Sequence, residues 1–170
     1  MKESRGDIFY AAADAVCITT NGFTKANGQA VMGRGCAHKA VTIFPNLPYL
    51  LGNKLRNEGN VVHELLESLD RTILLSYPVK PVSKTYHPDS VVKHMVGKFK
   101  EGSQVPGWAC KADIDLIQES AKQLVALTDL RGWKTVVLPR PGCGAGELDW
   151  NTVKPILENV LDDRFTCMTF

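Results

Sequence analysis

Four short runs of apolar residues recur along the sequence: Ala15-Val16-Cys17-Ile18-Thr19, Thr72-Ile73-Leu74-Leu75-Ser76-Tyr77, Thr135-Val136-Val137-Leu138 and Phe165-Thr166-Cys167-Met168-Thr169-Phe170. Most do not alternate between apolar and polar, which is the pattern of strands buried on both faces. Helical stripes lie between them. Ile114, Ile117, Ala121, Leu124 and Val125 share one helical face, with Asp113 placed as N-cap and Gly132 just past the end. Val153, Ile156, Leu157, Val160 and Leu161 form another stripe. Pro155 is tolerated there only near the first turn, which predicts a helix start at Asn151 or Thr152. Further helices are expected over about 34–44 and between Pro48 and Glu58, and Val61-Val62 with Leu65-Leu66 can add a hairpin partner before Ile73. Strands alternating with helices predict an α/β fold: a mixed, mainly parallel central sheet covered on both faces, in three α-β-α layers. Ligands of such sheets bind at the carboxyl ends of the strands.

A chain of 170 residues fits one domain with a real core. Its 44% hydrophobic and 22% charged residues are those of a globular protein rather than a disordered tail. A formal net charge of +2 points to neither nucleic acid nor membrane as a partner. No apolar run approaches the roughly 18 residues of a membrane helix, and residues 1–5 are polar, without a signal-peptide core. Cys17, Cys36, Cys110, Cys143 and Cys167 are odd in number, scattered and free of C-x-x-C pairs. They suit a reduced, cytoplasmic protein. The histidines do not cluster with cysteines at ligand spacing, so no metal site and no cofactor is expected.

Two glycine-rich loops each follow a predicted strand and precede a predicted helix. The first, 21–37, runs from Asn21 to Val31-Met32-Gly33-Arg34-Gly35-Cys36-Ala37; the second is Pro139-Arg140-Pro141-Gly142-Cys143-Gly144-Ala145-Gly146. Backbone N–H groups at such places attract anions, phosphates above all. Either loop alone is equally well a tight turn at a helix end; two in one sheet suggest a clamp for two phosphates. Glu147 follows Gly142-x-Gly144-x-Gly146 directly, so the dinucleotide fingerprint G-x-G-x-x-G fails, and neither loop continues into G-K-[ST].

Four segments, in order, resemble the macrodomain family of ADP-ribose-binding modules: Gly6-Asp7-Ile8, the 31–37 loop, Tyr77-Pro78-Val79-Lys80, and Leu138 to Gly144 continuing to Leu148-Asp149-Trp150. The third is similar to the branch that removes terminal ADP-ribose from proteins or DNA, and the compact chain suits a stand-alone protein of a bacterium or its virus. The resemblance implies a single macrodomain over 1–170 and roles for matching positions. Asp7 would accept from the adenine amino group, with the Ile8 backbone beside it. The 33–37 loop would cradle the diphosphate and distal ribose, and 142–146 would close over the diphosphate. Three departures stand out: little room for a strand before Gly6, extra residues 23–29 in the first loop, and a polar stretch at about 81–108 that reads as an inserted loop or lid.

Lys80 is the sharpest catalytic candidate, because a lysine of lowered pKa at a strand end can attack a sugar C1 or polarise the distal ribose. The resemblance implies the same role for it. Some relatives pair that lysine with an aspartate in the second glycine loop, where this chain has Gly146; Glu147 or Asp149 could substitute, although Asp149 equally suits a helix cap. Cys143 beside a helix N-terminus could have a lowered pKa. His38 reads as a helix-face residue, and His87 and His94 lie in the insertion. Three functions follow. One is a hydrolase of ADP-ribosyl bonds or of ADP-ribose 1″-phosphate, that is, a glycohydrolase or a phosphatase. The second is a non-catalytic module that binds or sequesters ADP-ribose. The third is a nucleic-acid-binding protein using Lys80, Lys84, Lys93, Lys98 and Lys100.

Overall fold

The computed structural model describes residues 1–170. In chain order the elements are β1 (Lys2–Arg5), β2 (Ala15–Asn21), α1 (Gly35–Ile43), α2 (Leu47–Glu58), β3 (His63–Glu67), β4 (Ile73–Lys80), β5 (Ser83–Thr85), β6 (Gln104–Pro106), α3 (Ile114–Arg131), β7 (Val136–Leu138), α4 (Trp150–Glu158) and β8 (Phe165–Thr169). Six strands form one sheet in the order β1-β8-β7-β2-β4-β3. All neighbours are parallel except β3, which runs antiparallel to β4.

The apolar strand runs divide their side chains between two cores. Cys17, Leu75, Tyr77, Val136, Leu138 and Phe165 pack with Ile117, Leu124, Val153 and Leu157 of α3 and α4. Val16, Ile18, Leu74 and Val137 pack with Ala37, Ala40, Leu47, Leu51 and Leu55 of α1 and α2. Adjacent strand residues point to opposite faces, so a continuously apolar strand demands a helical layer on each. The result is the three-layer α-β-α arrangement expected from the pattern.

Several expectations shift in detail. Four residues before Gly6 suffice for an edge strand, β1, paired in register with β8 from Lys2↔Thr166 to Arg5↔Thr169. Asp113 caps α3 by accepting from the N–H groups of Asp115 and Leu116, and Gly132 closes the helix in the left-handed region with φ +68°. The last helix starts at Trp150, earlier than Pro155 suggested, and Pro155 lies in its second turn. Its missing N–H leaves the Asn151 carbonyl without the usual i+4 donor; Asn151 is exposed, so water can supply one.

The extra residues of the first loop fold away from the strand ends. Ala30 N–H donates to the Pro48 carbonyl, and Gly52 of α2 sits so close that a Cβ there would lie 1.9 Å from the Gly28 carbonyl oxygen. The stretch after β4 is no bare loop. It carries the β5–β6 hairpin and a small core of Tyr86, Val91, Val105, Ala109 and Cys110, backed by Met95 and Phe99.

Candidate ligand-binding site

A cavity of about 370 Å³ opens at the carboxyl ends of β2, β4 and β7. Asn21, Val31, Met32, Gly33, Arg34, Gly35, Cys36 and Ala37 line it from the first loop. Pro139, Arg140, Gly142, Gly144, Ala145 and Gly146 line it from the second, and Lys80 reaches it from β4. Both glycine loops and the strand-end lysine therefore meet in one place.

The first loop ends in the N-terminus of α1. Arg34 occupies the cap position with extended backbone and no side-chain bond, and Gly35 follows at φ +59°, a conformation that favours glycine. The N–H groups of Gly35, Cys36 and Ala37 find no acceptor in the chain. Three unmet donors at the positive end of a helix dipole, with Arg34 also on the cavity wall, are an arrangement that favours anions. Asn21 secures the loop at its base: its Nδ2 donates to the Val31 carbonyl at 2.9 Å and its Oδ1 accepts from Phe23 N–H at 3.0 Å.

The second loop is shaped by close packing. A Cβ on Gly146 would lie 2.6 Å from both the Ala112 Cβ and the Gly142 carbonyl oxygen, so this position admits only glycine. Gly142 has φ +75°, and a Cβ there would lie 2.8 Å from Ile117 Cδ1 and 2.9 Å from Ala112 Cβ. The turn is pinned by Leu148 N–H to the Gly142 carbonyl and Ala112 N–H to the Gly146 carbonyl. The N–H groups of Gly142, Gly144, Ala145 and Gly146 donate to no carbonyl. Two sets of unmet backbone donors thus line the same cavity.

Lys80 is 8% exposed, and its Nζ donates to the Trp108 carbonyl at 3.2 Å. Burial depresses its pKa below the ordinary lysine value, and the nearby Glu147 carboxylate partly opposes this. No carboxylate pairs with it; the structure sets a neutral carbonyl from the insertion against the amine.

Five expected site residues stand off the cavity wall. The Asp7 carboxylate is already engaged: Oδ1 accepts from Phe9 N–H at 3.0 Å, and Oδ2 pairs with Lys39, which holds its pKa low. Ile8 is buried in the core under α1 and α2. Asp149 caps α4 by accepting from Asn151 N–H at 2.9 Å, which is its structural role. Glu147 turns toward the insertion and accepts from Lys93 N–H. Cys143 Sγ donates to the Pro141 carbonyl, and burial pushes its thiol up to about 11, the reverse of an activated nucleophile.

Other residues complete the wall without having been read from the sequence. Thr19, Thr20 and Val79 sit at the strand ends, Val92 and Trp108 come from the insertion with His94, and Phe170 follows β8. Only His94 carried a prior signal. Strand-end position alone would have found Thr19, Thr20 and Val79; the insertion residues depend on how that segment folds. Of the insertion lysines, Lys84, Lys93, Lys98 and Lys100 are exposed and off the wall.

No family model matches the sequence, and no curated protein matches it. Solved structures do. The macrodomain of Thermus aquaticus DarG superposes with a TM-score of 0.66 at 21% identity, covering 99% of this chain and 97% of that one. The macrodomain of Mycobacterium tuberculosis DarG gives 0.66 at 20% identity, covering 98% and 96%. Thermosipho africanus DarTG in complex with ADP-ribose gives 0.65 at 19% identity, covering 97% of this chain and 40% of that longer one. With its sheet order, its two helical layers and its cavity between two glycine loops, the chain has the macrodomain fold.

Proposed function

We propose that the cavity binds ADP-ribose, or a molecule carrying an ADP-ribosyl group, and that Lys80 acts in hydrolysing it. One observation carries the reading: two sets of unmet backbone N–H donors, one of them a helix N-terminus, line a single cavity. A diphosphate is a ligand whose charge suits such a clamp. The similar fold of a DarTG solved with ADP-ribose supports the choice of nucleotide. The buried Lys80, with lowered pKa and no carboxylate partner, suits attack on a sugar. Its neutral amine can add to C1″ of the distal ribose while the ADP-ribosyl bond breaks and the leaving group takes a proton; water then releases the sugar. The substrate is an ADP-ribosylated macromolecule or ADP-ribose 1″-phosphate.

Turnover of an ADP-ribosylated protein, an ADP-ribosylated DNA and ADP-ribose 1″-phosphate tests the catalytic part. Lys80→Ala should lower the rate on the active substrate about a hundredfold or more. An unchanged rate on every active substrate would sink the lysine mechanism. The missing carboxylate beside Lys80 favours a second reading, a module that binds ADP-ribose without cleaving it. Turnover by the unmodified chain at catalytic concentration rules that reading out.

A further inference from the structure

The insertion meets the second glycine loop through one charged group. Both carboxylate oxygens of Glu147 accept from Lys93 N–H, at 3.1 and 3.0 Å. Glu147 makes this contact from a left-handed backbone, φ +61°. Arg71, in the turn before β4, is the other non-glycine residue at positive φ. Position 147 is thus one where glycine would rest more easily, yet it carries a side chain long enough to reach across.

Lys93 lies between two residues of the cavity wall, Val92 and His94. Further along the insertion, Trp108 also lines the cavity, and its carbonyl accepts the hydrogen bond from Lys80. The far end of the insertion is fixed by the backbone, through Ala112 N–H to Gly146 and Asp113 N–H to Val79. The bonds Val92 N–H to Ala109 and Lys111 N–H to Ser90 stay within the insertion and its exit. The Glu147 carboxylate is what ties the Lys93 end to the second loop.

We propose that Glu147 is a positioning residue: it clasps the Lys93 end of the insertion to the second glycine loop, so that Val92 and His94 close the cavity. Both oxygens of Glu147 share the one Lys93 N–H, off the cavity wall. The consequence for affinity rests on the ADP-ribose reading; the clasp itself does not.

Two variants test it, Glu147→Gly and Glu147→Gln. Glycine suits the backbone at this position, so a loss in that variant does not arise from a misfolded turn. Glutamine keeps the length and one acceptor oxygen. In Glu147→Gly, amide exchange across residues 86–100 should speed up about tenfold or more, and affinity for ADP-ribose should fall roughly tenfold. Glu147→Gln should recover part of both. Parental exchange and parental affinity in Glu147→Gly would overturn the clasp. If the unmodified chain fails to bind ADP-ribose, the functional reading fails there, and the exchange measurement alone then decides for or against the clasp.

Discussion

Burial of Lys80 sets the chemistry of single residues here. Its ammonium loses its proton more easily in the folded chain than in the unfolded one, where the ordinary value of 10.5 applies. The unfolded state therefore binds more protons between the lowered folded value and 10.5, and stability rises with pH across that window. Below it, the buried charge opposes folding in full. Lys80→Met should raise the thermal midpoint at neutral pH and flatten the alkaline rise, as a pH series of melting curves will show. The same shift makes the neutral amine more abundant, so turnover should climb with pH and level off below 10.5. Thr20 offers a second residue-scale test. It is 5% exposed, and its Oγ1 is buried with no partner. Thr20→Val keeps the shape and removes the orphan, so urea denaturation should show a gain of about 1 kcal/mol. Gly28, Gly35, Gly142 and Gly146 were legible as residues because few others tolerate their backbone angles or contacts. Thr20 was not, because nothing in a sequence marks a hydroxyl that folding leaves unpaired.

Among the elements, the entry to α3 is tied to the strand that carries Lys80. Asp113 caps the helix through its carboxylate and ties it to β4 by donating its N–H to the Val79 carbonyl at 2.8 Å. Asp113→Ala should cost about 1 kcal/mol in denaturant unfolding. The central strands and α3 were legible because continuous apolar runs and a capped 3.6-residue stripe each have one structural solution. The start of α4 lies within two residues of the one expected, and Pro155, itself exposed, is tolerated in the second turn. The polar composition of the insertion concealed a hairpin and a five-residue core, since such a small core leaves no periodic stripe. The extra residues 23–29 of the first loop pack on α2, where Gly28 lies against Gly52.

At the scale of the whole molecule, the sheet brings together residues far apart in sequence. Strand β2 lies between β7 and β4, so the loops after β2 and β7 converge, with Lys80 at the end of the adjacent strand. The sequence motifs predicted that convergence, and the insertion then adds a wall that no motif announced. Asp7 stands off the cavity wall in this chain, its carboxylate paired with Lys39 and accepting from Phe9 N–H. The central claim is that the cavity holds a diphosphate between its two loops. Titrating the purified chain with ADP-ribose by calorimetry, with AMP and NAD as controls, tests it most directly. Saturable ADP-ribose binding at least tenfold tighter than AMP, about 1.4 kcal/mol, is the predicted result. No heat of binding, or equal affinity for AMP, would show that the facing loops do not clamp a diphosphate.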